Sequence, residues 1–147
     1  MSALRPLRVL IVEDEGMIAM DIEATVEDEG HEVVGWATTA DEAVTMFDRT
    51  RPDLVFIDVQ LLNGTSGIEV ARYMRDNDWP KFVFLTANPK VIDPDLIGGI
   101  GVLSKPFTQA KLAATLRYLQ NGLFDPPPSV ARPSGLTLGP AYATNWS

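Results

Sequence analysis

The sequence predicts an α/β domain, a doubly wound parallel sheet with helices on both faces. Five short apolar runs alternate with segments of helical periodicity about 10 to 15 residues long. Turn residues and helix caps separate the two kinds of segment. Strands at this spacing require a parallel sheet with right-handed crossovers, so we expect five strands and five helices.

The first strand and helix have clear boundaries. Residues 7–12 are apolar apart from one arginine and end in Glu13-Asp14-Glu15-Gly16, as expected of a strand buried on both faces. Residues 17–29 carry an approximate helical stripe, and Gly30 stands where a helix usually stops. Residues 32–37 are the second strand.

Two capping boxes mark the next helices. Thr39-Ala40-Asp41-Glu42 opens the second helix, which Arg51-Pro52 closes. Residues 54–59 form the third strand, with Asp58 near its end. An Asn-Gly turn follows, and Ser66-x-x-Glu69 opens the third helix.

The remaining elements are less regular. Residues 81–87 form the fourth strand, whereas residues 88–99 contain two prolines, so any helix there should be short. Residues 101–104 form a fifth, weaker strand. Residues 108–121 form the last helix, for which Gly122 is the expected cap.

A change of composition divides the chain. Residues 1–124 are expected to form one domain, and residues 125–147 begin with three prolines and continue with Ser, Gly, Ala and Thr. Such a segment buries little apolar surface, so a flexible tail is expected. Tyr142 and Trp146 form an aromatic pair in it without an obvious core, and partner docking is the alternative to disorder.

Charge and composition exclude several classes of protein. The 147 residues have a net charge of -8, which repels phosphate backbones and disfavours direct nucleic-acid binding. The sequence has no cysteine and no membrane-length apolar stretch, and we expect no signal peptide. A cytoplasmic location without membrane attachment is therefore expected.

Polar residues stand at the ends of four predicted strands. Glu13 and Asp14 end the first strand, Asp58 the third, Thr86 the fourth and Lys105 the fifth. The carboxyl ends of parallel strands meet at one edge, where ligands bind. Three carboxylates there would repel one another unless a cation such as magnesium lay among them. Phosphoryl transfer would suit this set, with Asp58 as nucleophile and Thr86 and Lys105 as stabilising groups.

At these residues the chain resembles the response regulator receiver family, over about residues 7–122. The motifs that carry the resemblance are Val9-Leu10-Ile11-Val12-Glu13-Asp14, Leu54-Val55-Phe56-Ile57-Asp58-Val59, Phe84-Leu85-Thr86-Ala87 and Lys105-Pro106-Phe107. The resemblance implies a flavodoxin-like fold with strand order 2-1-3-4-5.

The resemblance also implies roles for individual residues. Asp58 would accept a phosphoryl group from a histidine kinase or a histidine phosphotransfer protein, and Thr86 and Lys105 would respond to it. The residues implied to bind Mg2+, or Mn2+ in its place, are Glu13, Asp14, Asp58 and the main-chain carbonyl of Gln60. One departure is Val102, which stands where the family usually has a switch aromatic.

Three functions are compatible with this reading. The first is a single-domain receiver whose phosphorylation alters protein binding. The second is a Mg2+-dependent phosphatase with an aspartyl-phosphate intermediate, although Asp58-Val59-Gln60 lacks the second acid of such enzymes. The third is a flavin-binding electron carrier, which the acids after the first strand disfavour.

Further expectations concern seven single residues. His31 is expected to be exposed at a helix end, and the methionines at 17, 20, 46 and 74 are expected to fill the core. Trp36 and Trp79 are expected to pack, with a partner surface as the alternative for both.

Overall fold

The sheet is built from sequential strands, and its first five are parallel. The computed structural model describes residues 4–79 and 81–146. The strands are β1 (Arg8–Val12), β2 (Glu32–Ala37), β3 (Leu54–Asp58), β4 (Phe82–Thr86), β5 (Gly101–Ser104) and β6 (Leu136–Leu138). Their order is β2-β1-β3-β4-β5-β6, with β6 antiparallel to β5. The predicted order of the first five strands is confirmed.

Helices cover both faces of the sheet. They are α1 (Gly16–Asp28), α2 (Ala40–Thr50), α3 (Gly67–Asp76), α4 (Gln109–Phe124) and α5 (Pro140–Trp146). One apolar cluster joins the sheet to α1, α4 and α5, and a second joins it to α2 and α3. Within the described ranges, no helix is long and apolar enough to cross a membrane.

The connection between β4 and β5 differs from the five-helix expectation. Residues 87–100 contain two short 3-10 turns, Pro89–Val91 and Leu96–Gly98, and no α-helix. The fifth α-helix of the chain lies instead in the segment that the sequence assigned to the tail. Pro89 and Pro94 explain the loss, because proline lacks the N–H that continues a helix.

The prediction of a flexible tail is wrong for residues 136–146. Leu136 and Leu138 are buried on either side of exposed Thr137, and this strand pairs with β5. Trp146 is buried in the apolar cluster that joins the sheet to α1, α4 and α5, and its ring packs edge-on against the ring of Tyr118. The composition of the segment did not reveal this packing. Its buried apolar residues are few, and the residues that they pack against lie in β5 and α4. Whether residues 1–124 form a separate domain stays a prediction.

The helix α4 runs past Gly122, the predicted cap, and ends at Phe124. A Cβ atom at Gly122 would overlap the Trp146 ring, so the glycine lies inside the helix to admit the ring.

Two predictions about single residues are wrong as well. His31 is buried, and its Nδ1 accepts a hydrogen bond from the N–H of Leu7 at 3.0 Å. Met17 and Met20 are 82% and 65% exposed on α1, whereas Met74 lies in the core as expected.

Candidate functional site

The structure brings the predicted strand-end residues to one edge of the sheet. Glu13 follows β1 directly, Asp58 ends β3 and Thr86 ends β4. Lys105 follows β5, and its backbone N–H donates to the carbonyl of Thr86 at 2.9 Å. Because these strands are parallel neighbours, their carboxyl ends place the four residues side by side.

Three carboxylates meet at this edge. One oxygen each from Glu13, Asp14 and Asp58 lies within 4.8 Å of the others. Glu13 has no exposed surface, and Asp58 is 7% exposed. Like charges at this separation repel, and burial removes the water that would screen them. The cluster therefore requires a cation or bound protons to be stable.

Lys105 supplies one positive charge to the cluster. Its Nζ lies 3.1 Å from Oε2 of Glu13 and 3.5 Å from Oδ2 of Asp58. Burial alone would lower the pKa of Lys105, but the two carboxylates outweigh burial and raise that pKa. Lys105 is therefore a permanent cation, and one charge cannot neutralise three acids.

The protonation equilibria of two acids are shifted. Burial, with a smaller contribution from the Asp58 carboxylate, raises the pKa of Glu13 to about 7 despite the opposing charge of Lys105. Burial also raises the pKa of Asp58, again against the effect of Lys105. Perturbed carboxyl groups collected in a cleft are typical of functional sites.

A cavity of about 270 Å³ opens above the carboxylates. Its walls include the predicted site residues Asp14, Asp58, Gln60, Thr86 and Lys105. The backbone N–H of Gln60 lies 3.4 Å from Oδ1 of Asp58, and the N–H of Asn88 donates to Oγ1 of Thr86 at 3.0 Å. All six residues singled out from the sequence thus converge, with Glu13 buried against Lys105 and outside the cavity wall.

Two further residues shape the site and were not assigned to it from the sequence. A Cβ atom at Gly67, the first residue of α3, would overlap the backbone carbonyl of Asp58. The indole N–H of Trp36 donates to the carbonyl of Glu13 at 2.6 Å. Gly67 lies within the capping box Ser66-x-x-Glu69 and Trp36 lies in β2, but neither was assigned to the site, because each acts through the backbone of another residue.

The donor set fits a hard divalent cation. Magnesium prefers carboxylate and carbonyl oxygens, and it commonly keeps several waters when few protein ligands are present. Three carboxylates beside a water-accessible cavity match that preference, and their repulsion would be relieved by such an ion. A carboxylate nucleophile with an adjacent ammonium group also suits transfer of an anionic group.

Comparison with known proteins identifies the family of this site. The family profile described as "Response regulator receiver domain" matches residues 9–117. Phyllosphere-induced regulator PhyR of Methylorubrum extorquens is 36% identical over 110 residues, which cover 74% of this chain and 41% of PhyR. The chain spans about half the length of the curated relatives it matches.

Solved structures agree with the sequence comparison. The solution structure of the receiver domain of Erythrobacter litoralis PhyR is 30% identical with a TM-score of 0.72, covering 88% of this chain and 100% of that domain. Bartonella quintana PhyR, crystallised with the anti-sigma factor NepR, is 44% identical with a TM-score of 0.51 over 54% of this chain and 33% of that one.

Proposed function

The chain belongs to the response regulator receiver domain family, and from that premise we propose that Asp58 accepts a phosphoryl group in phosphorelay signalling. The donor would be a phosphohistidine of a histidine kinase or a histidine phosphotransfer protein. The observation that carries the proposal is the convergence of Asp58, two further carboxylates and Lys105 at one edge of the sheet.

The proposed step exchanges one bond for another. An oxygen of Asp58 attacks phosphorus as the bond from phosphorus to the donor's imidazole nitrogen breaks, which yields an acyl phosphate and a free histidine. Only the carboxylate form of Asp58 is a nucleophile, and burial raises the pKa of Asp58, so the rate of attack should increase with pH as Asp58 loses its proton.

Glu13, Asp14, Asp58 and the carbonyl of Gln60 would hold Mg2+ or Mn2+. A bound divalent cation would neutralise charge on the phosphoryl oxygens and on the three acids. Lys105 already lies beside Asp58, so its ammonium group is available to pair with the incoming phosphoryl oxygens.

A movement of Thr86 would transmit the effect of phosphorylation to the β4–β5 connection. Its hydroxyl oxygen accepts from the N–H of Asn88, so a turn of Thr86 toward the phosphoryl group would break that contact. Release of Asn88 would loosen the 3-10 turn Pro89–Val91 that follows it. This route does not need a rotating aromatic ring, and so it accommodates Val102.

The output would be altered protein binding. Bartonella quintana PhyR is known in complex with an anti-sigma factor, which supports a protein partner as the class of target. Because only a third of that PhyR aligns with this chain, we propose the class of partner and not NepR itself. No feature of the described residues favours the phosphatase alternative, and Gln60 stands where its second acid would be required.

The test is phosphorylation by acetyl phosphate with Mg2+. Intact-mass spectrometry should detect one added phosphoryl group on the unaltered chain and none on Asp58→Asn. Asp28→Asn is the matched control, because Asp28 is exposed at the far end of α1 and should leave labelling unchanged. Labelling that persists in Asp58→Asn would refute the assignment of the acceptor.

A further inference from the structure

Trp36 holds the backbone of the acidic loop, which we define as Glu13-Asp14-Glu15. The indole Nε1 of Trp36 donates to the carbonyl oxygen of Glu13 at 2.6 Å. The other backbone group of Glu13, its N–H, donates to the carbonyl of Ala37 at 3.0 Å. Both polar backbone groups of Glu13 are therefore held by β2.

The position of Trp36 in the sheet explains this contact. Trp36 pairs with Ile11 in the β1–β2 ladder, and the ladder ends one residue later at Val12 and Ala37. The Glu13 carbonyl lies beyond the ladder, where β2 offers no further backbone donor. A side-chain donor on β2 replaces the missing backbone bond and extends the pairing by one residue.

The ring of Trp36 also lies near the start of α1. Its outer edge lies 3.8 Å from where a Cβ atom would stand on Gly16, and it borders a small cavity with Ala19 and Met20. Trp36 as a whole residue is 42% exposed, so core packing does not account for a tryptophan at this position. Trp36 thus binds the acidic loop at its beginning and lies beside α1 at the point where the loop ends.

We infer that Trp36 is a positioning residue that orients the carboxylates of Glu13 and Asp14 for a divalent cation. The inference rests on the proposed function, because it requires a cation at these acids. A freely moving loop would let the carboxylates separate to reduce their repulsion. The hydrogen bond to the Glu13 carbonyl restricts the loop before the cation binds, so less conformational entropy is lost on cation binding.

The test compares Mg2+ affinity in two matched tryptophan variants by calorimetry. Trp36→Phe keeps an aromatic ring and removes the N–H donor. Trp79→Phe removes an equivalent bond, since Nε1 of Trp79 donates to the carbonyl of Pro52 at 2.8 Å at the opposite edge of the sheet. We expect Mg2+ binding about 2- to 10-fold weaker in Trp36→Phe, the range of one hydrogen bond, and unchanged in Trp79→Phe.

A second substitution preserves the shape of the ring. Benzothienylalanine at position 36 replaces the indole N–H with sulfur, and it decides the question if Trp36→Phe does not fold. Equal Mg2+ affinity in the unaltered chain and both position-36 variants would overturn the inference and leave the proposed function intact. An equal loss in Trp79→Phe would overturn it too, because it would indicate general destabilisation. Failure of the unaltered chain to bind Mg2+ would overturn the cation site itself.

Discussion

At the scale of the residue, Glu13 combines deep burial with a charge that the fold does not fully neutralise. Its carboxylate has no exposed surface, and it lies beside Asp58 and 3.1 Å from Nζ of Lys105. Desolvation and repulsion by Asp58 together exceed the attraction of the lysine, since the pKa of Glu13 is raised to about 7. The ionised site is therefore less stable without a cation than a neutral site of the same shape.

Replacement of Glu13 by glutamine should stabilise the cation-free chain at pH 8. Folded Glu13 takes up its proton near pH 7 and the unfolded residue near 4.5, so the folded state is penalised above pH 7 and regains stability as pH falls toward 4.5. We expect Glu13→Gln to raise the free energy of unfolding by about 1–2 kcal/mol at pH 8, allowing for solvent screening. The gain should shrink at pH 5.

Urea denaturation in a chelator at both pH values measures this effect. Glu27→Gln is the control, since Glu27 is exposed on α1 and its neutralisation should change stability little at either pH. A less stable Glu13→Gln chain at pH 8 would mean that the Glu13–Lys105 pair is a net stabilising contact. Glu13→Gln should also weaken Mg2+ binding, so stability and affinity are expected to change in opposite directions.

The functional role of a single residue could be predicted from the sequence only where several candidate residues were expected at the same edge of the sheet. Asp58 and Lys105 could each be an ordinary loop residue, and their significance came from standing at the same predicted edge. Trp36 could not be found in this way, because its contact is with a backbone carbonyl and depends on where β2 ends. His31 was misjudged for a related reason: the acceptor role of its ring depends on Leu7, which is distant in sequence.

At the scale of the element, the connection from β3 to α3 brings a helix start against the acceptor. Gly67 opens α3 beneath Asp58, and its N–H donates to the carbonyl of Val59 at 2.8 Å. A side chain at position 67 would displace either the carbonyl of Asp58 or the first turn of α3. The end of β3 therefore depends on a residue that lies nine positions later.

Gly67→Ala should destabilise the chain and slow phosphorylation together. Forcing a methyl group into this contact is expected to lower the free energy of unfolding by about 1–3 kcal/mol. The displaced Asp58 backbone should also reduce the rate of labelling by acetyl phosphate. Chemical denaturation and timed mass spectrometry measure the two effects.

Gly16→Ala provides the comparison for Gly67→Ala. Gly16 opens α1 as Gly67 opens α3, but the nearest atom to a Cβ there is 3.8 Å away, so alanine should be tolerated. Equal stability of Gly67→Ala and Gly16→Ala would show that the β3–α3 connection can accommodate a methyl group at position 67 without loss of stability.

Helices that begin with a capping box were predicted well from the sequence, whereas the β4–β5 connection was not. The caps Thr39 and Ser66 accept hydrogen bonds from the first turns of their helices, as their capping boxes indicated. The β4–β5 connection has no comparable signal. Leu96 and Ile97 there have φ values of 52° and 56°, which are unusual for bulky side chains. Both side chains are buried, so packing rather than local preference selects this backbone.

At the scale of the whole molecule, the C-terminal segment completes one face of the fold. Without β6, β5 would be an open edge strand of the sheet. The apolar residues that now pack against Leu136, Leu138 and Trp146 would then be exposed to solvent. The segment is also tied to α4, since Lys111 donates to Ser134 at 2.7 Å and the Tyr118 hydroxyl donates to the carbonyl of Trp146 at 3.2 Å. Its few apolar residues were too sparse to indicate a fold, because their partners lie in β5 and α4.

A variant that ends at Pro133 should therefore be less stable and more prone to associate. Removal of buried Leu136, Leu138 and Trp146 loses several kcal/mol of burial, but the residues no longer need to be ordered, so the net loss should be about 2–4 kcal/mol. The uncovered β5 edge should produce concentration-dependent association in light scattering. Asn145→Ala, an exposed change in α5, should show neither effect. A monomeric variant of unchanged stability would mean that residues 134–147 do not contribute to the core.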